Sequence, residues 1–147
     1  MRAITQGKYG LDSLVLSEIP TPRIESEQIL VKVEAASIYA AVLHLITADI
    51  SLIRLLAGLR KPRMRPGQSF AGTVIEIGSE VKDLKVGDRV CGTAPGALAE
   101  QVVARAKRVA LLPNGVGFDE ASQFQYQPAQ RFKRFENTAK LVLGKKF

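Results

Sequence analysis

Short runs of β-forming residues, each bounded by turn-forming residues, are the feature that most limits how this chain of 147 residues can fold. Turn signals such as Gly78-Ser79, Val86-Gly87-Asp88 and Pro113-Asn114-Gly115 separate the runs. Many short strands with frequent turns favour a barrel or a sandwich over alternating strands and helices. The predicted strands are Arg2–Gln6, Leu14–Glu18, Gln28–Ala36, Ser69–Ile77, Asp88–Gly92, Ala99–Ala104 and Val109–Leu112.

The third predicted strand shows the alternation expected when one face of a strand is buried. Its apolar residues recur at every second position, and its charged residues lie between them. Ile29, Val31, Val33 and Ala35 are predicted to face one way, with Lys32 and Glu34 on the opposite face.

Helix is predicted in two places. A short turn over Leu52–Ala57 has Ser51 as its N-cap and Gly58 at its end. A short amphipathic helix is predicted over Pro128–Glu136, because apolar residues recur there at a spacing of three with basic residues between them. A last strand over Thr138–Leu143 is predicted to follow it.

The longest apolar stretch, Tyr39–Leu59, is interpreted as core-forming helix and loop. It contains His44, Asp49 and Arg54, each of which is costly inside a bilayer, so a membrane span is not expected. Cys91 is the single cysteine, which excludes an internal disulfide and fits a reducing cytosol. Together with the absence of a visible signal peptide, this favours a cytoplasmic location.

The chain is basic, with 21 Lys and Arg against 14 Asp and Glu, and a formal charge of +7. Its basic residues are scattered, with local groups at Arg60–Arg65, at Arg105–Arg108 and near the C-terminus. No aromatic-and-glycine signature of an RNA-binding sheet accompanies them. The charge is therefore interpreted as a solvated surface, and nucleic acid is not the expected partner.

Several short sequence motifs follow one another in a fixed order. They are Pro66–Gly78, Leu84–Val90, Gly96–Val102, Leu112-Pro113 and Phe118–Ala121, together with the segment from His44 to Pro62. Their order and spacing resemble the GroES-like catalytic domain of medium-chain dehydrogenases/reductases, especially the zinc-independent quinone-oxidoreductase-like branch. The resemblance covers about residues 1–122 and implies a mainly β fold, a GroES-like partly open β-barrel with a few short helices.

These motifs have mostly structural meaning. Gly72 is predicted to let neighbouring backbone pack closely, and Gly78 and Gly87 are predicted to permit tight turns. Asp88 is predicted to accept hydrogen bonds from turn amides. The motifs that carry the resemblance therefore identify a fold and not a reaction.

The resemblance implies NADPH or NADH as the family's cofactor, held largely by a separate Rossmann domain. That domain needs a Gly-x-Gly-x-x-Gly turn between a strand and a helix. Neither Gly92–Gly96 nor Gly115–Gly117 has that spacing, and 25 residues after Ser122 are too few for such a domain. No cofactor is expected to bind this chain alone, so no cofactor-binding residue is assigned and the chain is expected to be inactive alone.

Residues 123–147 are predicted to be a connector, a short helix and a C-terminal strand that packs back on domain 1–122. Ala139–Leu143 is similar to the family's last strand, although Ala139 stands where glycine is usual. This favours a catalytic domain from which the nucleotide-binding domain was excised near Ser122–Pro128. The alternative is an unrelated tail after a truncation.

No metal site is expected. By the resemblance, zinc-dependent relatives place a cysteine where Tyr39 stands, and a His-Glu pair where Gln68 and Ser69 stand. The zinc-independent branch commonly has Asn-Pro-x-Asp, where this chain has Tyr39-Ala40-Ala41-Val42, and it has an aspartate at Ser69. The polar residues that orient substrate in that branch are thus missing.

Tyr39 and His44 remain the candidate catalytic residues. His44 titrates near neutral pH and is a candidate proton donor, but a hydrogen-bonded histidine on a half-buried helix is the favoured alternative. Tyr39 is a candidate donor to a ligand carbonyl, with a space-filling core aromatic as its alternative. Cys91 is predicted to be a small buried apolar residue without reactivity.

The leading functional hypothesis is an incomplete or degenerate oxidoreductase-family domain that acts as a non-catalytic binding or assembly module. Loss of the Rossmann domain should expose an apolar face, so a homodimer or a complex with another protein chain is expected through the former domain interface. One alternative is the catalytic half of an NAD(P)H-dependent quinone/enone reductase or alcohol dehydrogenase that needs a nucleotide-binding domain in trans. A second alternative is a basic nucleic-acid-binding module. No membrane partner is expected.

Overall fold

A computed structural model describes residues 1–38, 40–47 and 65–123 of the chain. All seven predicted strands are confirmed, with bounds that differ by at most two residues. The strands are β1 (Arg2–Gln6), β2 (Leu14–Glu18), β3 (Gln28–Ser37), β4 (Ser69–Ile77), β5 (Arg89–Thr93), β6 (Gln101–Arg105) and β7 (Val109–Leu111). The helices are α1 (Ala40–Thr47) and α2 (Phe118–Ser122), with 3-10 turns at Leu11–Ser13 and Ala106–Arg108.

The strands form two antiparallel sheets that do not close into a full barrel. The larger sheet has the strand order β6-β3-β4-β5-β7, and β1 and β2 form a separate pair. A bridge between Ala3 and Ala99 joins β1 to the residues just before β6. The Arg2 side chain ties the same two segments together, with Nε 2.7 Å from Glu100 Oε1. The predicted partly open, mainly β architecture is confirmed.

One face of the larger sheet holds the main core. Phe70, Val74 and Val90 are fully buried there with Ile29 and Val31. Because successive residues of a strand point to opposite faces, these members mark which positions face inward. Complete burial of five such side chains contributes about 1.5–3 kcal/mol each, which is enough to make this face the main source of stability.

Two irregularities in the β3–β4 pairing change which residues of these strands face the main core. The register shifts between Leu30 and Val31, and again between Val33 and Ala35. Each shift is a β-bulge, in which an extra residue on one strand reverses which positions face inward. Residues 29 and 31 of β3 remain in the main core, and Val33 packs against it.

The second bulge overturns part of the predicted alternation. Ala35 pairs with Ala71, and Ala71 belongs to a second core cluster on the opposite face of the sheet. Ala35 therefore does not share a face with Val33. The extra residue, Glu34, produces this reversal, while Lys32 and Glu34 are exposed as expected and form an ion pair of 3.1 Å.

The roles expected of Gly72, Gly87 and Asp88 are confirmed, whereas Gly78 has no positive φ and instead allows close approach of the Glu25 and Ser26 carbonyl oxygens. A Cβ on Gly72 would collide with the carbonyl oxygen of Lys32, so β3 and β4 approach closely only because residue 72 lacks a side chain. Gly87 has φ +94, which suits a tight turn. Asp88 Oδ2 accepts a hydrogen bond of 3.0 Å from the Lys85 amide across that turn.

Several predictions fall on residues outside the described part of the chain. They are the helical turn over Leu52–Ala57, the helix over Pro128–Glu136 and the strand over Thr138–Leu143. The expected core helix within Tyr39–Leu59 is present as α1 over residues 40–47. None of the helices in residues 1–38, 40–47 and 65–123 is long and apolar enough to cross a membrane.

The variant Gly72→Ala is expected to lower the free energy of unfolding by about 3 kcal/mol or more, because two backbones must separate to admit the methyl group. Urea titration followed by circular dichroism measures this loss. Gly7→Ala is the matched control, since nothing lies within 4 Å of a Cβ at residue 7. Equal losses in both variants would show that close strand packing is not the cause.

Candidate functional site

The short helix α2 covers the outer face of the larger sheet and forms the second core cluster. Ala121 of α2 is fully buried against Ala71 of β4 and Cys91 of β5. The small side chains at these positions let the helix lie close to the sheet. This contact fixes where α2 ends relative to the end of β3.

Arg89 of β5 holds the segment that leads into α2. Its Nη2 donates a hydrogen bond of 2.7 Å to the carbonyl oxygen of Val116. Its guanidinium also lies 4.5 Å from the centroid of the Phe118 ring, a cation–π contact. Since Val116 is itself 1% exposed, both ends of this segment are anchored.

A cavity of about 590 Å³ opens where the end of β3 meets α2. The Ser37 hydroxyl donates a hydrogen bond of 2.7 Å to the carbonyl oxygen of Ser122, which joins the two elements. The Ser122 hydroxyl in turn donates to the carbonyl oxygen of Asp119 at 2.9 Å. The lining residues are Ala35, Ala36, Ser37, Ile38, Asp119, Ser122 and Gln123.

Few of the groups that line this cavity can donate or accept a proton. Asp119 is the charged residue of the lining set, and the two serine hydroxyls already donate their protons to backbone carbonyls. The cavity therefore provides shape, a carboxylate and hydroxyl oxygens that can still accept hydrogen bonds. These groups can bind and orient a ligand.

A row of hydroxyl-bearing residues crosses the sheet beside the cavity. Ser69 pairs with Ser37 on one side and with Thr93 on the other, so all three share the face that α2 covers. Ser69 is 1% exposed, and its Oγ forms no hydrogen bond with any residue of the described chain. An unpaired buried hydroxyl costs about 1–3 kcal/mol, so the serine here is not explained by stability.

Cys91 is placed as the sequence predicts, in β5 within the second core cluster and 2% exposed. Burial raises the pKa of its thiol from 9.0 to about 12, because the thiolate has no solvent to stabilise it. The thiolate is the nucleophilic form, so Cys91 takes no part in chemistry near neutral pH.

The two candidate catalytic residues are not brought together by the described structure. Tyr39 lies outside the described residues. His44 lies in the last turn of α1 with an exposed side chain, and it is not among the residues that line the cavity. α1 itself is half-buried, since Ile46 is 2% exposed while Leu43 is exposed, so a hydrogen-bonded histidine on this helix stays a prediction.

Sequence reasoning missed the residues that do line the cavity. Ser37, Asp119 and Ser122 come from two segments about 80 positions apart, and no spacing within either segment marks them. The signal that could have located Asp119 was the motif Phe118–Ala121, which was used only for family resemblance.

No metal centre can be assembled from the described part of the chain, since it contains no group of three or more His, Cys, Asp or Glu side chains placed to hold an ion. Gln68 and Ser69 stand at the start of β4, where the zinc-dependent pattern would require histidine and glutamate. Amide and hydroxyl groups are poor zinc ligands in comparison.

Comparison with known proteins gives consistent matches. A family model described as the alcohol dehydrogenase GroES-like domain matches residues 25–114. The chain is 34% identical over 134 residues to the chloroplastic NADPH-dependent alkenal/one oxidoreductase of Arabidopsis thaliana, covering 83% of this chain and 33% of that protein. It is 30% identical over 155 aligned residues to the chloroplast envelope quinone oxidoreductase homolog of the same plant, covering 99% of this chain and 46% of that protein.

Solved structures of quinone oxidoreductases have a similar fold. The quinone oxidoreductase from Coxiella burnetii is 30% identical and superimposes with a TM-score of 0.75, covering 85% of this chain and 41% of that chain. The Escherichia coli quinone oxidoreductase complexed with NADPH shares the fold at a TM-score of 0.73 and 24% identity. The chain spans less than half the length of each of these relatives.

The raised pKa of Cys91 predicts how stability changes with pH. In the unfolded chain the thiol loses its proton above about pH 9, whereas in the folded chain it stays protonated to about 12. The unfolded state is thus favoured as pH rises through this window, and by about pH 10 the thiol lowers stability by about 1.4 kcal/mol. Urea titrations of wild type and Cys91→Ala at about pH 8 and pH 10 measure this difference. A parallel loss of stability in both proteins would contradict it.

Proposed function

Because the chain belongs to the alcohol dehydrogenase GroES-like domain family, within the medium-chain dehydrogenases/reductases, we propose that it is an incomplete oxidoreductase domain that acts by itself as a non-catalytic binding and assembly module. Within such a reductase, this domain is the part that binds the substrate. A cytoplasmic location goes with this proposal, since the single cysteine needs no oxidising compartment.

The observation that carries the proposal is that both serine hydroxyls of the cavity already donate their protons in hydrogen bonds within the fold. Ser37 and Ser122 both donate to backbone carbonyls, at 2.7 and 2.9 Å, so their protons hold the fold together. A general acid must instead present its proton to the substrate. The cavity is therefore suited to binding, with Asp119 as its charged contact.

Among residues 1–38, 40–47 and 65–123, the glycine-containing turn before α2 supports the expectation that this chain alone holds no dinucleotide. The turn before α2 contains Gly115 and Gly117, but Val116 between them is buried and its carbonyl accepts a hydrogen bond from Arg89. Val116 is thus fixed against the core, although Gly115 beside it is exposed, and the two glycines lack the Gly-x-Gly-x-x-Gly spacing of a pyrophosphate loop. Hydride transfer belongs to the nicotinamide cofactor, so no step of it is assigned to this chain alone.

A second candidate is the catalytic half of a quinone or enone reductase that receives its nucleotide-binding domain from another polypeptide. Its support is the named activity of relatives, which include an NADPH-dependent alkenal/one oxidoreductase and quinone oxidoreductases. In that arrangement the cavity at Ser37 and Asp119 orients the substrate, and the partner supplies the hydride donor.

Calorimetric titration with NADPH and NADH is the first test of the proposal. The chain alone is expected to give no binding heat, and NADPH is expected not to raise its unfolding temperature. Tight, saturable binding would overturn both candidates, because the chain would then hold the cofactor itself.

The second step separates the two candidates. The chain is mixed with the separately produced nucleotide-binding half of the Coxiella burnetii quinone oxidoreductase, and NADPH oxidation is followed with a quinone and with an enone. No oxidation above that of the partner half alone is the result expected of a binding module. Oxidation that depends on this chain would establish the trans-complemented reductase instead.

Self-association is expected through the apolar residues next to the cavity. Ile38 is 57% exposed at the cavity rim, and Leu43 is 42% exposed on α1, which begins two residues later. Exposed apolar side chains favour burial against a second copy of the chain. Sedimentation velocity is expected to show a dimer that Ile38→Ser weakens at least about 10-fold in dissociation constant.

Val86→Ser is the matched control for that experiment, since Val86 is 60% exposed on the turn before β5. It should leave the dimer intact. A strict monomer at high concentration, or equal weakening by both variants, would contradict an interface at Ile38.

A further inference from the structure

The polar side chains that line the cavity between β3 and α2 have mainly acceptor capacity left. A carbonyl oxygen can only accept, so the Ser37 and Ser122 hydroxyl protons are committed to the carbonyl oxygens of Ser122 and Asp119. Each hydroxyl oxygen keeps lone pairs that accept hydrogen bonds, and the Asp119 carboxylate is an acceptor only. Gln123, whose amide can also donate, is exposed. A ligand that satisfies these groups must therefore bring hydrogen-bond donors.

The Asp119 carboxylate has no partner in the part of the chain that the structure describes. No described amide or side chain donates a hydrogen bond to it, and it belongs to neither of the two ion pairs found there. Arg89 also approaches α2, but its guanidinium is engaged by the Val116 carbonyl oxygen and the Phe118 ring. The charge of Asp119 is thus open to a cation from outside the chain.

The neighbouring residue on α2 adds to the negative charge. Glu120 follows Asp119 directly, and its Oε2 atom is buried without a hydrogen-bond partner among the described residues. The Cα atoms of consecutive residues are about 3.8 Å apart, so both carboxylates lie well within the screening length of about 10 Å at 0.1 M salt. The described residues contain 11 Lys and Arg and 12 Asp and Glu, so no excess of positive charge around the cavity repels a cation.

The remaining walls of the cavity are apolar. Ala35, Ala36 and Ile38 contribute only hydrocarbon side chains to the lining. The volume of about 590 Å³ lies within the range of about 300–1,000 Å³ that small-molecule sites occupy. The cavity therefore has room for an apolar body beside its acceptor groups.

We propose that this cavity binds a small organic ammonium ion, in which an amine cation is joined to an apolar body. The ammonium group donates hydrogen bonds to the Asp119 carboxylate and to the Ser37 hydroxyl oxygen, and the apolar body lies against Ala36 and Ile38. The assignment rests on the proposed function, because it names the ligand class of the same binding cavity. Quinones and enones bring only acceptor oxygens, so they match these acceptor groups poorly.

Binding of phenethylamine to the full chain, without any nicotinamide cofactor present, tests the proposal. Two-dimensional NMR of the backbone amides is expected to show saturable shifts centred on Ser37, Asp119 and Ser122. Phenethyl alcohol has the same ring with a neutral hydroxyl, and benzylacetone has the ring with a ketone that only accepts. Both are expected to bind at least about 5-fold more weakly than the amine, because neither carries a charge for Asp119.

The variant Asp119→Asn removes the charge and keeps the size of the side chain. It is expected to weaken phenethylamine binding at least about 5-fold and to change phenethyl alcohol binding by less than about 2-fold. Asp83→Asn is the matched control, since Asp83 is exposed, does not line the cavity and gives the same change in net charge. This control is expected to bind phenethylamine like wild type, and thermal unfolding of both variants checks that the fold is retained.

Four results would overturn the proposal. They are the absence of saturable shifts with phenethylamine, equal affinity for the amine and the alcohol, tighter binding of the ketone than of the amine, and equal weakening by Asp119→Asn and Asp83→Asn. The tests of the proposed function use NADPH and a nucleotide-binding half, so the two can fail separately. A chain that binds phenethylamine and also supports NADPH oxidation in trans would keep the amine site and lose the non-catalytic role.

Discussion

The backbone contact between Gly72 of β4 and Lys32 of β3 is the constraint on which the rest of the domain depends. These two strands are the centre of the larger sheet, since β3 also carries β6 and β4 also carries β5. A second close approach follows at Gly92, where a Cβ would lie 2.5 Å from the carbonyl oxygen of Arg108. Both approaches require a residue without a side chain, and the fully buried Phe70 pairs with the second of these glycines.

The position of the cavity follows from the bulge at Glu34. Without the extra residue, Ala35 and Ser37 would stay on the face of Val33, and Ser37 could not reach Ser122 of α2. With it, the last residues of β3 turn their side chains to the outer face, where α2 lies against the sheet. The candidate binding site is therefore a product of backbone irregularity at a strand end, which is where proteins commonly re-aim side chains toward ligands.

The positions of the strands could be predicted from the sequence, because the patterns that mark a strand involve residues close together in the chain. Period-two alternation and turn residues mark β1 to β7, and a tight approach at Gly72 or a turn held by Asp88 can be inferred from residue type alone. The bulge at Glu34 has no such mark, because an extra residue leaves the alternation of letters unchanged while it reverses the faces. The wrong face for Ala35 follows from this.

The cavity could not be predicted from patterns of neighbouring residues either. Ser37 and Ser122 are 85 positions apart, and their hydrogen bond exists only because α2 folds back on the end of β3. His44 is a candidate by residue type, as the one histidine of the chain, but residue type does not determine where a side chain lies. Its exposure on α1 depends on how the helix packs, which the pattern around it does not specify.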